Sequence, residues 1–262
     1  MIYHYTSIEI LALILHNKKI RFNNLNQVND RLESTKFEKL KLSNYIFVSC
    51  FTENKEENIA LWNMYSNNMK GVRIGINKKP FKLKKVNQKT TKAKILVEGE
   101  KHLPFTIDEC LNKDYFIFPS FIKHEEFFKK IEYLKTEELN KKFNELINIQ
   151  QENISITTKN LAISKHERWG FEEESRFILL ILPPIKDFND VGDCIKNIGQ
   201  NKQLPFSFFD IEIDDNCFEN IEITLGPNCS DSDKNIVDSL ISKYGIKKKS
   251  KESELKEIIR FK

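Results

Sequence analysis

Three charged side chains alternate just ahead of the most apolar run of the sequence. Glu172, Glu174 and Arg176 each lie two residues apart in the stretch WGFEEESRFILL. In an extended chain, residues two apart share a face, so the two carboxylates and the guanidinium would point into one space. A polar row that leads into a buried strand is unfavourable unless it faces a cleft or is paired. The row therefore indicates either a catalytic carboxylate pair or a Glu–Arg ion pair at a strand entrance.

Imidazole and hydroxyl groups lie at the ends of two further strand-like stretches. His4, Tyr5 and Thr6 belong to YHYTS, and Ser49 and Thr52 belong to VSCFT. A histidine offers one donor and one acceptor, and small hydroxyls can hold a ribose or support a carboxylate. The alternatives are a packed strand histidine and ordinary turn chemistry at a strand end.

Two more motifs carry polar or aromatic groups at suggestive spacings. Trp62 and Tyr65 in ALWNMYSNNMKG are three residues apart, so they share one face of a helix. Either Tyr65 stacks on a planar ring of a ligand, or both residues pack in the core. Asn29, Asp30 and Glu33 in NQVNDRLE either cap a helix or line a ligand site from a loop.

Hydrophobic periodicity predicts the elements that must position these groups. A helix is predicted after Ser7, another around ALWNMY, and a third from Ser230, a capping residue, to Gly245. Strands are predicted at MIYHYT, IRFNN, YIFVSCFT, VRIGIN, KAKILVEG, SRFILLIL, FFDIEID and FENIEITLGP, with the basic tail as a closing strand.

The middle of the chain has a different pattern. Phe127, Ile131 and Phe143 belong to a series of apolar residues at mostly helical spacings between charges. The pattern predicts a long amphipathic helix or helix pair, forming a helical insertion at 121–163 outside the sheet. Its apolar face either packs on the main core or forms a lid or a surface for a partner protein.

Composition restricts the class of protein. The 262 residues suit a single domain, and a chain of this length with 40% hydrophobic residues is not expected to be disordered. The net charge of +4 permits a nucleic-acid or nucleotide partner without requiring one. Five dispersed cysteines fit a reducing compartment and show no metal-ligand spacing. With no signal-like start and no apolar run of about 20 residues, the sequence predicts a cytoplasmic protein with no membrane partner. Walker, G-x-G-x-x-G, G-x-S-x-G and H-E-x-x-H motifs are absent.

Taken together, the motifs resemble a bacterial family known as domain of unknown function 2971. The pieces that carry the resemblance occur in the order of that family along nearly the whole chain. They are Tyr3 to Thr6; Asn29, Asp30 and Glu33; Ser49 to Thr52; Leu61, Trp62, Tyr65 and Gly71; Trp169, Glu172, Glu174 and Arg176; and Leu225 to Pro227.

The same order of groups more distantly resembles the ADP-ribosyltransferase superfamily. The resemblance implies a single α+β domain over 1–262, with a split, mixed β-sheet around a cleft for NAD and flanking helices. In that reading His4 and Thr6 hold the nicotinamide–ribose end, Tyr65 stacks on nicotinamide, Glu174 is catalytic and Glu172 faces the acceptor. The remaining motif residues complete the NAD site: Tyr5, Asn29, Asp30, Ser49, Thr52, Trp62 and Arg176.

The resemblance implies an enzyme that transfers ADP-ribose from NAD to a macromolecular acceptor, either nucleic acid or protein, or hydrolyses NAD. NAD is the substrate, no metal is expected, and an antitoxin or other partner would bind the helical insertion. A toxin or anti-phage defence effector is the expected biological class. Two alternatives stay open: a non-catalytic sensor of NAD or a related nucleotide, and an interaction module in which the glutamates and Arg176 are only a row of ion pairs.

Overall fold

Strand β13 carries Glu174 and Arg176 and belongs to an antiparallel sheet of nine strands. The computed structural model describes residues 1–35, 41–86, 101–150, 153–185 and 196–260. The strands are β1 (Ile2–Thr6), β2 (Lys19–Asn24), β3 (Ile46–Thr52), β4 (Val72–Ile76), β5 (Lys84–Val86), β6 (Lys101–Leu103), β7 (Phe116–Ile117), β8 (Phe128–Lys130), β9 (Glu132–Leu134), β10 (Ile147–Gln150), β11 (Asn153–Ile156), β12 (Ser164–His166), β13 (Glu174–Leu182), β14 (Phe208–Glu212) and β15 (Glu222–Leu225).

Short and medium helices connect the strands. They are α1 (Ile8–Asn17), α2 (Arg31–Thr35), α3 (Ile59–Tyr65), α4 (Ile107–Cys110), α5 (His124–Phe127), α6 (Thr136–Leu146), α7 (Asp215–Glu219) and α8 (Asp231–Tyr244). As predicted, Ser7 and Ser230 cap α1 and α8, and Gly245 ends α8 with a φ of 70°.

Side chains of β13 alternate between two apolar layers. Phe177, Leu179 and Ile181 lie in one layer, whereas Ile178 and Leu180 lie in the other. All nine residues of the strand are buried because apolar layers cover both of its faces, while β3 along one edge and β7 and β8 along the other pair with its backbone. This explains why the run is apolar without interruption.

The sheet forks at β3. One edge of β3 pairs with β13 along its length, from Thr52 opposite Glu174 to Ile46 opposite Leu180. The other edge is shared: β2 pairs only with Phe47 and Val48, and β1 pairs only with Thr52. Strands β4 and β15 continue the β1 arm, and β14 continues the β2 arm. Between the two arms, no strand of the described residues pairs with the edge of β3 from 49 to 51.

The expectation of a mixed sheet is wrong for these nine strands, since every pairing among them is antiparallel. Strands β1 and β2 do run in the same direction, as a strand–helix–strand crossover through α1 requires. They do not pair because the fork separates them. A parallel pairing occurs instead between β9 and β12, in a small separate sheet.

The predicted helical insertion at 121–163 is also wrong in its main feature. Within it α6 is helical, but β8 pairs with β13 and so belongs to the main sheet. The predicted burial of Phe127, Ile131 and Phe143 is confirmed. The apolar spacing of Phe127, Phe128, Ile131 and Leu134 is helical, but pairing with β13, which local spacing does not contain, makes residues 128–130 a strand.

The other strand predictions agree with the structure in the described residues. The exception is the basic tail, which forms an isolated bridge from Lys251 to Thr224 at the edge of β15. The predicted strand KAKILVEG lies outside the described residues.

Candidate functional site

A cavity of about 450 Å³ opens where the sheet forks. Its walls come from both arms, from α1 and from the loop after β2, and Ser49 to Thr52 of β3 form part of its lining. A volume of this size is within the range of small-molecule sites. The fork therefore creates a ligand-sized space in the plane of the sheet.

Most of the sequence-predicted site residues meet in this cavity, although they are far apart in the chain. The predicted residues that line it are His4, Tyr5, Thr6, Asn29, Ser49, Thr52, Tyr65, Glu172 and Glu174. The three predicted residues that do not line it are Asp30, Trp62 and Arg176. His4, Tyr65 and Glu174 therefore share one cavity, as predicted from the sequence.

Arg176 is the centre of a buried ion cluster behind the cavity wall. Its Nε and Nη2 donate to the two oxygens of Glu174 at 2.7 and 2.8 Å, and its Nη1 donates to Oε1 of Glu33 at 2.8 Å. The side chain is completely buried. The planar guanidinium thus binds two carboxylates. Arg176 is therefore an ion-pair residue and does not contact the cavity.

Lys165 joins this cluster to the cavity. Its Nζ lies 2.7 Å from Oε2 of Glu172 and 2.6 Å from Oε2 of Glu174, and 3.9 Å from Oε2 of Glu33. The ammonium also lies 5.4 Å from the ring centroid of Trp169. Three carboxylates therefore face two cations, and the cluster carries one net negative charge when all groups are ionised.

The two cavity glutamates differ in acidity. Burial would raise the pKa of Glu174, but attraction by Arg176 and Lys165 outweighs it and holds that pKa below its usual range. Burial raises the pKa of Glu172 above its usual value despite the attraction of Lys165. Glu174 is thus a weakly basic, fixed carboxylate, whereas Glu172 is the better proton acceptor.

A left-handed turn between the two glutamates brings them together. Residues Glu167–Glu172 form a 3-10 turn, and Glu173 follows with a φ of 44° before β13 begins. The expected extended row from Glu172 to Arg176 is therefore wrong at its first residue. The turn folds Glu172 back, so that both glutamates reach the ammonium of Lys165 from different directions.

His4 spans the opening of the fork. Its Nδ1 lies 2.9 Å from the carbonyl oxygen of Cys50, on the part of the β3 edge with which no described strand pairs. A carbonyl only accepts, so Nδ1 carries the proton. Burial lowers the pKa of His4 although this bond raises it, so the neutral ring leaves Nε2 as an acceptor. His4 therefore suits a ligand group that donates, such as a hydroxyl or an amide.

Tyr65 is oriented by its hydroxyl. The hydroxyl donates to Oε1 of Glu172 at 2.6 Å, and burial followed by the Glu172 contact raises the pKa of Tyr65. Tyr65 stays protonated and fixes the outer oxygen of Glu172. Ring stacking on a ligand, which the sequence suggested, stays a prediction.

Two other predicted binding residues have structural roles. Trp62 is fully buried, and its Nε1 donates to Oε2 of Glu57 at 2.7 Å. Asp30 is buried and accepts from the backbone N–H of Leu32 at 2.9 Å, at the start of α2. Trp62 is therefore a core residue, and Asp30 caps the start of a helix.

Thr52 serves the turn as well as the cavity wall. Its hydroxyl donates to the carbonyl of Glu173 at 3.0 Å and accepts from the N–H of Asn54 at 3.1 Å. The bond to Glu173 connects the end of β3 to the left-handed turn. Thr52 therefore stabilises the strand end, as the structural alternative predicted, and also lines the cavity.

Sequence reasoning missed Lys165 and did not assign Glu33 to the site. Lys165 lies in SKHERWGF, one lysine among many, and nothing in its spacing marks it as buried. Glu33 was noticed as part of a motif, but its partner Arg176 is 143 positions away. One signal in the sequence indicates a further buried cation. Two buried glutamates beside a single arginine would leave a carboxylate without a counter-ion.

The described residues contain neither a metal-ligand cluster nor a membrane-spanning helix. Among these residues there is no group of three or more His, Cys, Asp or Glu side chains arranged to hold a metal ion. In the same part of the chain, no helix has both the length and the apolar character needed to cross a membrane.

We expect the contribution of Glu174 to stability to disappear in acid. The pKa of Glu174 is lower in the folded protein than its ordinary value of 4.5, so the folded state releases this proton more readily. The contribution is fully present above pH 4.5 and is lost as the pH falls through the folded-state pKa. In urea unfolding, the stability difference between the wild type and Glu174→Gln should narrow in acid. A difference that stays constant with pH would contradict this ion-pair account.

A family model matches part of the chain. Residues 61–177 match the family described as Protein of unknown function (DUF2971). The matched segment runs from α3 to the start of β13 and contains Tyr65, Lys165, both cavity glutamates and Arg176, which supports the resemblance over this part of the chain. No curated protein and no solved structure matches the chain.

Proposed function

We propose that the protein binds NAD in the cavity at the fork and breaks its nicotinamide–ribose bond, in the manner of an ADP-ribosyltransferase. The observation that carries the proposal is the convergence of His4, Tyr65, Glu172 and Glu174 on one cavity. These groups come from β1, from α3, from the turn before β13 and from the first residue of β13. Their types match what binding of ribose and cleavage of a glycosidic bond need.

The cavity walls suit a ligand with polar and apolar parts. Lys165 and the glutamates supply one charged region, whereas Ile14, Ile74 and Ile221 are among the apolar residues of the lining. The acceptor at Nε2 of His4 suits a ribose hydroxyl or the carboxamide N–H of nicotinamide. A dinucleotide offers both kinds of surface.

The net charge of the ion cluster suits the chemistry. Breaking the bond between C1′ of the ribose and the nicotinamide nitrogen sends the electron pair to that nitrogen and leaves a cationic, oxocarbenium-like sugar. Glu33, Glu172 and Glu174 against Lys165 and Arg176 leave one negative charge to stabilise it. An acceptor then bonds to C1′, and its proton passes to Glu172, the more basic glutamate.

The pairing of Glu174 favours a second candidate function. Both oxygens of Glu174 are bound by Arg176, and one is also bound by Lys165. A carboxylate neutralised in this way contributes less to a transition state than a free one does. A sensor that binds NAD or a related nucleotide without turning it over is therefore the alternative.

Nicotinamide release from NAD by the purified chain separates these functions. Turnover that proceeds with catalytic amounts of protein supports the enzyme. Saturable NAD binding without nicotinamide release supports the sensor. Neither binding nor release would contradict both, and would leave the buried ion cluster as a purely structural feature.

A further inference from the structure

The glutamates at the cavity wall are almost inaccessible from outside. Glu172 and Glu174 are each 4% exposed, and Lys165 is 5% exposed. In contrast, the cavity residues on α1 and β2 reach the surface, with Leu13 50% and Ile10 42% exposed. A ligand therefore enters past α1 and β2, and the glutamates lie at the inner wall.

Hydrogen bonds between two segments close the inner wall. Asn58 Nδ2 donates to the carbonyl of Phe171 at 2.6 Å, and the hydroxyl of Thr52 donates to the carbonyl of Glu173 at 3.0 Å. Asn54 also donates to the side chain of Glu173. The turn that carries Glu172 is thus fastened on its outer side to the segment between β3 and α3.

Tyr65 completes the cover over Glu172. Its hydroxyl donates to Oε1 of that glutamate at 2.6 Å, and Nζ of Lys165 donates to Oε2 at 2.7 Å. A protein or nucleic-acid acceptor would have to displace this cover, or pass through a mouth that the bound dinucleotide already fills. A water molecule needs only about 30 Å³ and two to four polar partners. Glu172, Tyr65 and Lys165 offer such partners.

We infer that the acceptor in this cavity is water, so that the protein hydrolyses NAD rather than modifying a macromolecule. The inference rests on the proposed function and narrows it. In the balanced step, NAD⁺ and water give ADP-ribose, nicotinamide and one proton. The C1′–N bond breaks with its electron pair moving to nicotinamide. The oxygen of water bonds to C1′, and its proton passes to Glu172 and then to solvent.

The test follows where the ADP-ribose goes. The full chain is incubated with NAD labelled in the adenylate half, together with mixed cellular protein, RNA and DNA. Released nicotinamide, free ADP-ribose and label bound to macromolecules are measured in the same samples. We expect free ADP-ribose to equal the released nicotinamide. Label on macromolecules amounting to a tenth or more of that nicotinamide would overturn the inference and leave NAD cleavage intact.

Small alcohols supply a second measurement on the same protein. If the space beside Glu172 admits only small groups, methanol should divert part of the product to the methyl glycoside of ADP-ribose, whereas a bulky polyol should not. Equal diversion by both alcohols would contradict a closed acceptor space. An absence of nicotinamide release would instead refute the proposed function, and the inference with it.

Discussion

Replacing Arg176 with glutamine is expected to destabilise the protein by about 3–5 kcal/mol, because it leaves buried carboxylates without their main counter-ion. Arg176 is completely buried and bonds to both Glu174 and Glu33. A loss of this size is a large part of the stability of a typical domain. Urea unfolding monitored by circular dichroism measures it, with Arg168→Gln as the exposed control.

A double variant tests the cause of that loss. If uncompensated charge is the reason, adding Glu33→Gln to Arg176→Gln should restore part of the stability, since one buried carboxylate is removed. Loss that is purely additive would contradict the ion-cluster account. So would a single variant Arg176→Gln that unfolds at the same urea concentration as the control.

Glu172→Gln is expected to reduce nicotinamide release by roughly a hundredfold or more, the usual size of a lost electrostatic and proton-accepting group. The amide keeps the size of the side chain and the contact with Tyr65, but it cannot take a proton. Because burial raises the pKa of Glu172, its charge is held less favourably than that of Glu174. The fold should therefore tolerate this substitution better than Glu174→Gln.

Glu173→Gln is the matched control, one position further along the chain. Glu173 is exposed, and its carboxylate bonds to Asn54 outside the cavity. We expect near wild-type release from it. Equal rates for Glu172→Gln and Glu173→Gln would remove Glu172 from the chemistry.

The sequence predicted elements well where a single period dominates. The run around Phe177 to Leu182 has one interpretation, and the helix from Ser230 has a cap at each end. It failed at 121–163, where the apolar spacing is helical but pairing with β13 places residues 128–130 in the main sheet. Long-range pairing is a tertiary property that local spacing does not contain.

The sequence predicted most of the residues that line the candidate site, but it did not predict how they are arranged. Residues at strand ends, such as His4 and Thr52, were found because strand ends meet at one edge of a sheet. The left-handed turn at Glu173 was not foreseen, since glutamate rarely adopts that conformation. Without the turn, the sequence could not show that Lys165 lies between the two glutamates.

The most direct test of the central claim, that the cavity at the fork is an NAD site, is a calorimetric titration of NAD into three proteins. Leu13, at the mouth of the cavity, is 50% exposed, and Ile236 on α8 is 51% exposed and does not line the cavity. Tryptophan at either position should fold normally. We expect the wild type and Ile236→Trp to bind NAD equally, and Leu13→Trp to bind about tenfold more weakly or worse, a loss of about 1.4 kcal/mol. No binding by the wild type, or equal binding by all three, would contradict the claim.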